Sequence, residues 1–426
     1  RSSDLDSVVV GRGIGAQALA AVGATSIVVW LTLGFAMGLT RGFCIHISQA
    51  YGKKDYHLVN RGFFVASVLS LIVGAMISIV GSLAIRDFLI LMHTPGEILE
   101  QSLDYIKVIL LGFVITVLNN LFMSVLQSLG DSSTPFWALL VSSVTNIGLD
   151  CVFVLTLKWG VQGAAAATVL SQVFSFAICA AGLKRLKFVS ILDGSKSKNA
   201  RLTVRMLKTG LPVGIMSMVT AVGGMILQFF VNDLGASAVA AYAASTKIRS
   251  VIGEFSNAMG MTFMTFVGQN YGAQKYDRIK AGVRMGVLLS ILIHIPLSAV
   301  EIFGGKRIAS LMVTDPPVLE LCRQYLLIVG IFVFFLGFLM VFRNCIQGMG
   351  NTWIPMLSGG LEVFSRLIFG YWLGRHSFMG IAAAEASAWI SVSIMLGSSF
   401  FILFRKVLRT QTPENTTDTK NIRTVS

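Results

Sequence analysis

A small set of carboxylate, amide and hydroxyl side chains lies inside segments that are otherwise apolar. The set consists of Asp6, Asn120, Asn146, Asp150 and Thr168. Asn146 and Asp150 are four residues apart, so on a helix both side chains project from one face. The two carboxylates of the set are Asp6 and Asp150. If they share a site without water, both cannot be ionised at low cost in free energy, and such a pair is suited to binding and releasing a proton. The same oxygens, joined by an amide and a hydroxyl, can equally coordinate Na⁺, so both chemistries stay open.

The second half of the chain has its own charged residues in apolar segments. Among them are Lys247, Arg249, Glu254, Arg343, Glu362, Arg366 and Glu385. Glu362 and Arg366 are four residues apart with the acid first, which predicts a structural ion pair along one helix. Flexible methionine side chains adapt to varied apolar ligands, and charged residues on a common helix face can flank them. The residues predicted to line a substrate cavity on this basis are Lys247, Glu254, Met261 and Met264.

The chain repeats itself at a constant offset of 220 residues. Gln49-Ala50-Tyr51-Gly52 corresponds to Gln269-Asn270-Tyr271-Gly272, and the run from Gln127 to Asp131 corresponds to the run from Gln347 to Asn351. A residue shared by both copies is expected to be scaffold, whereas a polar residue in one copy needs a separate explanation. The residues opposite Asp6, Asn120, Asn146, Asp150 and Thr168 are Ile226, Met340, Arg366, Gly370 and Ala388. This contrast favours a function for the polar set over a packing role.

Composition places these residues in a membrane protein. Hydrophobic residues make up 54% of the chain and charged residues 13%, and the mean hydropathy is +0.76. A span needs about 20 apolar residues. Runs of that length occur at 17–50, 62–85, 103–128, 134–157, 162–183, 207–232, 238–268, 283–304, 324–349, 353–374 and 379–404. Residue 1 corresponds to Ala221, inside the run at 207–232, so we expect the chain to begin within a further helix.

The predicted fold is therefore an all-α integral membrane protein with two six-helix bundles, twelve helices in total, of which the first is incomplete. Because each copy has an even number of spans, both enter the membrane in the same orientation, and a pseudo-twofold axis along the membrane normal relates them. The predicted boundaries are an N-terminal lobe at 1–185, a linker at 186–205, a C-terminal lobe at 206–407 and a disordered tail at 408–426.

The net charge of +14 is distributed unevenly along the chain. Most lysines and arginines fall in the connections at one end of the predicted bundles and in the tail, which the positive-inside rule assigns to the cytoplasm. No folded soluble domain organises them, which argues against nucleic acid as a partner. The five cysteines show no metal spacing, the histidines are isolated, and no paired catalytic groups are present. We therefore expect neither an enzyme nor a cofactor other than a coupling ion.

Several motifs, taken together, resemble the multidrug and toxic compound extrusion (MATE) transporters. They are Asp6-Ser7-Val8-Val9-Val10-Gly11-Arg12, Ala20-Ala21-Val22-Gly23-Ala24, Ser48-Gln49-Ala50-Tyr51-Gly52, Gln127-x-x-Gly130-Asp131-x-x-x-Pro135, Asn146-x-x-Leu149-Asp150 and Gly160-Val161-x-Gly163-Ala164-Ala165. The resemblance covers the chain up to its tail. It implies a twelve-helix antiporter of the bacterial plasma membrane that exports amphipathic, often cationic compounds in exchange for H⁺ or Na⁺.

The resemblance also implies where the ion binds. The family's cation site matches Asp6, Asn146, Asp150 and Thr168, with Asn120 less securely matched. A branch of the family uses acidic residues in its seventh and tenth helices, which the spans at 207–232 and 324–349 lack. The competing interpretation is a lipid-linked oligosaccharide or lipid flippase of the same superfamily. The expected partners are a small organic substrate and membrane lipids, and the expected state is a monomer.

Overall fold

The computed structural model describes residues 9–11, 13–190, 193–194 and 199–411. The long helices of the first half are α1 Ala16–Gly52, α2 Tyr56–Leu91, α3 Gly96–Leu111, α4 Phe113–Ser128, α5 Ser133–Asp150 and α6 Gly160–Arg185. The long helices of the second half are α7 Ala200–Asn232, α8 Ala236–Gly272, α9 Tyr276–Ala299, α11 Pro316–Gly348, α12 Trp353–Phe369 and α13 Phe378–Gln411, and the short helix α10 spans Gly305–Ala309. Three π-helical segments follow α5, α9 and α12, at Cys151–Thr156, Val300–Gly304 and Gly370–Gly374.

The repeat in the sequence is a repeat in the backbone. Helices α1 and α8 have the same length and begin 220 residues apart, as do the starts of α2 and α9 and of α5 and α12. Gly130 and Gly350 take φ values of 94° and 92°, a left-handed conformation that suits glycine, in the turns before α5 and α12. The predicted fold is confirmed: this is an all-α membrane protein with two bundles related by a pseudo-twofold. In the first bundle, the described part of the predicted first helix is residues 9–11.

The predicted spans coincide with helices, but not every one of these helices is long and apolar enough to be identified as membrane-spanning by length and composition alone. Within the described residues, eight helices meet this criterion. The number is nine when α3 and α4, which form an angle of 47°, are counted as one span. The predicted spans at 238–268 and 353–374 do not meet it. Helix α8 carries Lys247, Arg249 and Glu254, and α12 carries Glu362 and Arg366. Each packs against neighbouring helices of the fold, α8 along α11 and α12 along α7 and α13.

Small residues bring α1 of the first lobe against α7 of the second. A Cβ atom on Gly38 would lie 2.5 Å from the Val213 carbonyl oxygen, and one on Gly42 would lie 2.5 Å from the Cα of Gly210. These distances leave no room for a larger side chain. Close backbone approach through glycines is how helices associate where lipid removes the hydrophobic drive. The interface between the lobes therefore depends on glycines spaced by four residues.

The lobes also meet through a reciprocal pair of hydrogen bonds at the end of the molecule that holds connections 53–55, 129–132, 273–275 and 349–352. We call this the closed end. Gln49 Nε2 donates to the Gly348 carbonyl oxygen at 2.9 Å, and Gln269 Nε2 donates to the Ser128 carbonyl oxygen at 2.9 Å. Each partner lies 220 residues from its counterpart, so the two bonds obey the pseudo-twofold. The shared Gln-x-x-Gly motif thus has a physical role as scaffold between lobes.

The two lobes differ in how their apolar side chains pack. In the described part of the chain, most buried apolar residues of the second lobe form one connected cluster that contains Tyr325 and Trp389. Those of the first lobe fall into four clusters, of which the largest contains Phe43 and Leu121 and reaches α7. Polar side chains interrupt the interior of the first lobe.

Candidate functional site

The end of α5 carries two buried polar residues of the predicted set. Asn146 and Asp150 are both 0% exposed, and Asp150 is the last residue before the π-helical segment Cys151–Thr156. Neither the amide oxygen nor the amide nitrogen of Asn146 has a hydrogen-bond partner among the described residues. An amide buried without partners costs free energy that a bound ligand can recover. Helix α5 packs along α6, which carries Thr168.

Thr168 lies on a polar face of α6 that contacts α4. Its Oγ1 donates to the Ala164 carbonyl oxygen at 3.1 Å. Gln172 lies one turn further along α6 and accepts a 2.5 Å hydrogen bond from Thr116 Oγ1 on α4. Asn120, one turn beyond Thr116, donates to the Thr116 carbonyl oxygen at 2.9 Å. The structure therefore places Asn120 and Thr168 on neighbouring helix faces that are joined by a polar contact.

Thr116 and Gln172 are absent from the set predicted from the sequence. Their counterparts in the second copy are Leu336 and Val392, so the same comparison of copies would have identified them. Asp6, the other predicted carboxylate, lies outside the described residues. The described part of the candidate site therefore consists of residues from α4, α5 and α6.

The first lobe has a bend beside this polar face. Helices α3 and α4 meet at Gly112 with an angle of 47° between them. A Cβ atom on Gly112 would overlap the side chain of Val169, the residue next to Thr168. The equivalent helix of the second lobe, α11, runs unbroken through the counterpart Phe332. Sharp kinks occur at glycines, and here the kink sits where the candidate ion site meets α4.

The second lobe contains a buried network of ion pairs. Arg366 and Arg343 both lie 3.0 Å from carboxylate oxygens of Glu362. Arg249 lies 2.9 Å from Glu385, and Arg366 lies 3.7 Å from the same carboxylate. The predicted pair of Glu362 and Arg366 is thus the centre of a five-residue chain that links α8, α11, α12 and α13. Removing one member would leave an uncompensated buried charge.

Two aromatic residues complete this network. Tyr325 donates a short hydrogen bond to Glu385, and the Arg249 guanidinium lies 5.6 Å from the ring centroid of Trp389. Arg366 occupies the position that Asn146 occupies in the first copy. At these two equivalent places, the second lobe therefore has a guanidinium and a glycine, whereas the first lobe has an amide and a carboxylate.

Comparison with known proteins identifies the family. The MatE family profile matches residues 2–152 and 212–372, which is more than half of the chain. The chain belongs to the MatE family. It is 27% identical over 395 residues to the "Probable multidrug resistance protein YoeA" of Bacillus subtilis, covering 88% of this chain and 85% of that protein. It is also 27% identical to the "Probable multidrug resistance protein YpnP" of the same organism, covering 93% of this chain and 87% of that protein.

A solved MATE structure in the bent conformation has the same fold. It superimposes with a TM-score of 0.89 at 23% sequence identity, covering 96% of this chain and 92% of the other. At this identity the likeness establishes the fold alone.

In this MatE chain, the residues predicted for a substrate cavity differ in their exposure. Lys247 and Glu254 on α8 are exposed, Met261 is half-buried, and Met264 is buried, with 6% of its surface exposed. Met264 packs where α8 meets α11, since its carbonyl oxygen lies 2.7 Å from a Cβ atom placed on Gly348. In this conformation, Lys247 and Glu254, which lie nearer the start of α8, are therefore more accessible than Met261 and Met264.

Arg41 is a charged residue of α1 that the sequence reasoning missed. Its Nη1 lies 3.5 Å from Asn257 Oδ1 on α8, so the contact crosses from the first lobe to the second. Glu254, one turn before Asn257, interacts electrostatically with Arg41. The counterpart of Arg41 in the second copy is Met261, so the comparison of copies again holds the signal.

Proposed function

We propose that this protein is a secondary antiporter that exports amphipathic, cationic compounds in exchange for H⁺ or Na⁺ by alternating access. Its family membership and the drug-resistance names of both relatives support export of small organic compounds. Because those relatives carry such names, we do not put forward the flippase alternative. The observation that carries the ion-coupling part is the buried pair Asn146 and Asp150. Their counterparts are Arg366 and Gly370, so the carboxylate at this place occurs in one copy only.

The coupling ion is proposed to bind between α5 and α6. Asp150 would supply the charge, Asn146 an unsatisfied amide oxygen and Thr168 a hydroxyl, with Asp6 as the second carboxylate. A Na⁺ ion would take these oxygens as ligands, whereas H⁺ would neutralise one of the carboxylates. Both ions relieve the cost of burying negative charge, so either can shift the lobe between two states.

The movement is proposed to open the closed end. The positive-inside rule assigns that end to the cytoplasm, so the conformation described is the one closed towards the cytoplasm. An ion shifts such an equilibrium only by its differential affinity for the two states. Moving from 1:99 to 99:1 needs about 5.5 kcal/mol. The bend at Gly112 lies where α3 meets α4, beside the polar face that includes Thr168. We therefore expect α3 and α4 to move when the ion binds.

Efflux from proteoliposomes tests the proposal. The full chain is reconstituted with a fluorescent organic cation, and a pH gradient is compared with a Na⁺ gradient of matched size. We expect one gradient to drive efflux and Asp150→Asn to reduce it about tenfold or more, which corresponds to a coupling of about 1.4 kcal/mol. Asp104→Asn, the same substitution at an exposed position of α3, is the matched control. Ion-driven efflux by Asp150→Asn at the rate of the control would refute the proposed site.

A further inference from the structure

Glu301 is a buried carboxyl group that neither the ion-pair network nor the proposed cation site uses. It is 1% exposed, and neither carboxylate oxygen has a hydrogen-bond partner in the described part of the chain. Burying an ionised carboxylate costs several kcal/mol even after relaxation, and only a good partner recovers that cost. Binding a proton removes the charge and most of the cost. The geometry around Glu301 therefore suits a group that holds a proton in this conformation.

At the site of Glu301, the large and the small side chain of a contacting pair have changed places between the two copies. In the first lobe, a Cβ atom placed on Gly81 of α2 would lie 3.1 Å from Leu110 Cδ2 of α3. In the second lobe the sizes are reversed: the counterpart of Gly81 is Glu301 and the counterpart of Leu110 is Gly330. A Cβ atom on Gly330 would lie 3.1 Å from Glu301 Cβ and 3.5 Å from Glu301 Oε2. The space that Leu110 fills in one lobe is thus filled by a carboxyl group in the other.

The backbone around Glu301 also differs from its counterpart. Glu301 lies in the π-helical segment Val300–Gly304, whereas α2 is α-helical throughout Tyr56–Leu91. Pro296 lies inside α9 just before this segment, and its counterpart in α2 is Met76. The other two π-helical segments, after α5 and α12, lie at equivalent positions and count as scaffold. Single π-helical turns inside α-helices are frequent at functional sites, and this one occurs in one copy only.

The charged and titratable groups around Glu301 come from five elements. Arg249 on α8 and Glu385 on α13 both interact electrostatically with Glu301. Titratable groups on the elements packed against this segment include Tyr325 on α11, His294 on α9 and Lys306 on α10. His294 is committed to Ser256 and to the Ser290 carbonyl oxygen, at 2.8 Å and 2.7 Å. Lys306 pairs with the exposed Glu320 at 3.6 Å. Arg249 is thus the cation best placed to accept a new partner.

We propose that Glu301 is a proton-binding site of the second lobe. It is protonated in the conformation described, in which Arg249 pairs with Glu385. When Glu301 releases its proton to water, Arg249 moves from Glu385 to the Glu301 carboxylate, and α8 follows. The network has three arginines and two glutamates, so an ionised Glu301 supplies the third negative charge. The site adds to the proposed antiport a proton sensor outside the first lobe, and it rests on that function only for its role in transport.

Two variants separate the proton from the packing. Glu301→Gln keeps the shape and removes the titration. Glu301→Gly combined with Gly330→Leu recreates the packing that Gly81 and Leu110 have in the first lobe, with no carboxyl group. The double variant keeps the test decisive if Glu301→Gln does not fold, because its packing already exists elsewhere in the chain.

Infrared difference spectroscopy on the purified full chain, recorded across a pH series without substrate, is the first measurement. We expect the carbonyl band of a buried carboxylic acid in the parent protein and in Asp150→Asn, and its loss in both Glu301 variants. We also expect both variants to shift the pH at which efflux is half-maximal. An unchanged band and an unchanged pH profile in the variants would overturn the proposal and leave Glu301 as packing. Because the spectra need no transport, a failure of the proposed antiport is distinguishable from a failure of this site.

Discussion

Gly272→Ala is the substitution that tests the closed end most directly. A Cβ atom at Gly272 would overlap the Gln49 carbonyl oxygen and lie 2.7 Å from the Gln49 carbonyl carbon. The counterpart Gly52 meets the backbone of Gln269 in the same way. These neighbours are backbone atoms, so no side-chain rotation relieves the overlap. Ordinary contact begins at 3.4 Å, so α1 and α8 must separate by about 0.7 Å or more.

That separation breaks the reciprocal hydrogen bonds. Adding about 0.7 Å to the 2.9 Å bonds from Gln49 and Gln269 gives about 3.6 Å, which is too long for a hydrogen bond. Each bond contributes about 0.5–1.5 kcal/mol net, so the closed state loses about 1–3 kcal/mol relative to the open state. This shifts the ratio of closed to open molecules by about 5-fold to 150-fold.

The assay is a distance measurement between spin labels at Lys53 and Lys275, which are exposed on either side of the closed end. We expect Gly272→Ala to broaden the distribution towards longer distances. Gly253→Ala on the same helix is the control, because its Cβ atom would meet nothing within 4 Å. Alanine is the better helix former, so propensity alone predicts no loss. Identical distance distributions for the two variants would refute the reasoning.

Three further outcomes follow from the same contacts. Gly38→Val should prevent assembly of α1 on α7, because its Cβ atom would lie 2.5 Å from a backbone oxygen; a normal monomer peak in fluorescence size-exclusion chromatography would contradict this. Glu362→Gln should cost about 3–5 kcal/mol by leaving two buried arginines poorly compensated. Adding Arg366→Met should recover part of that loss in thermal unfolding, and equal Tm values for the single and double variants would argue against the network. A cysteine at Lys275 should react with an impermeant maleimide only from the cytoplasmic side of oriented vesicles, and labelling from the outer side would reverse the assigned topology.

The fold was predictable from the sequence because the repeat carries it. A constant offset between Gln49 and Gln269 and between Gly130 and Gly350 requires two copies of one backbone, and an even number of spans fixes their relation. The shared motifs then had to be scaffold, and the structure gives the reason: the glutamines bond across the lobes and the glycines take left-handed turns. Such features can be recognised in the sequence because the same residue types recur at the same positions of both copies.

Partners in space were less predictable than positions in sequence. The pair of Glu362 and Arg366 follows from helical spacing. Spacing within one helix does not predict the contacts with Arg343 on α11 and Arg249 on α8. The need for glycine at position 112 comes from Val169, a residue on another helix whose side chain a Cβ atom on Gly112 would overlap. The comparison of copies could have identified Thr116 and Gln172 as polar positions, but the hydrogen bond between them joins α4 to α6 and does not follow from the sequence. Contacts between helices need the three-dimensional packing.

The two lobes have diverged by exchanging charge and volume at fixed backbone positions, and this gives them different mechanical roles. The second lobe has one continuous apolar cluster and a chain of buried ion pairs, which resist rearrangement. The first lobe has divided clusters, a bent helix and an amide without a partner in the described structure. Regions with fewer satisfied and continuous contacts open at lower free energy. In the proposed cycle, ion binding would therefore act mainly on the first lobe, while the second lobe would stay largely rigid. The exception in the second lobe is Glu301, a buried carboxyl group with no hydrogen-bond partner among the described residues.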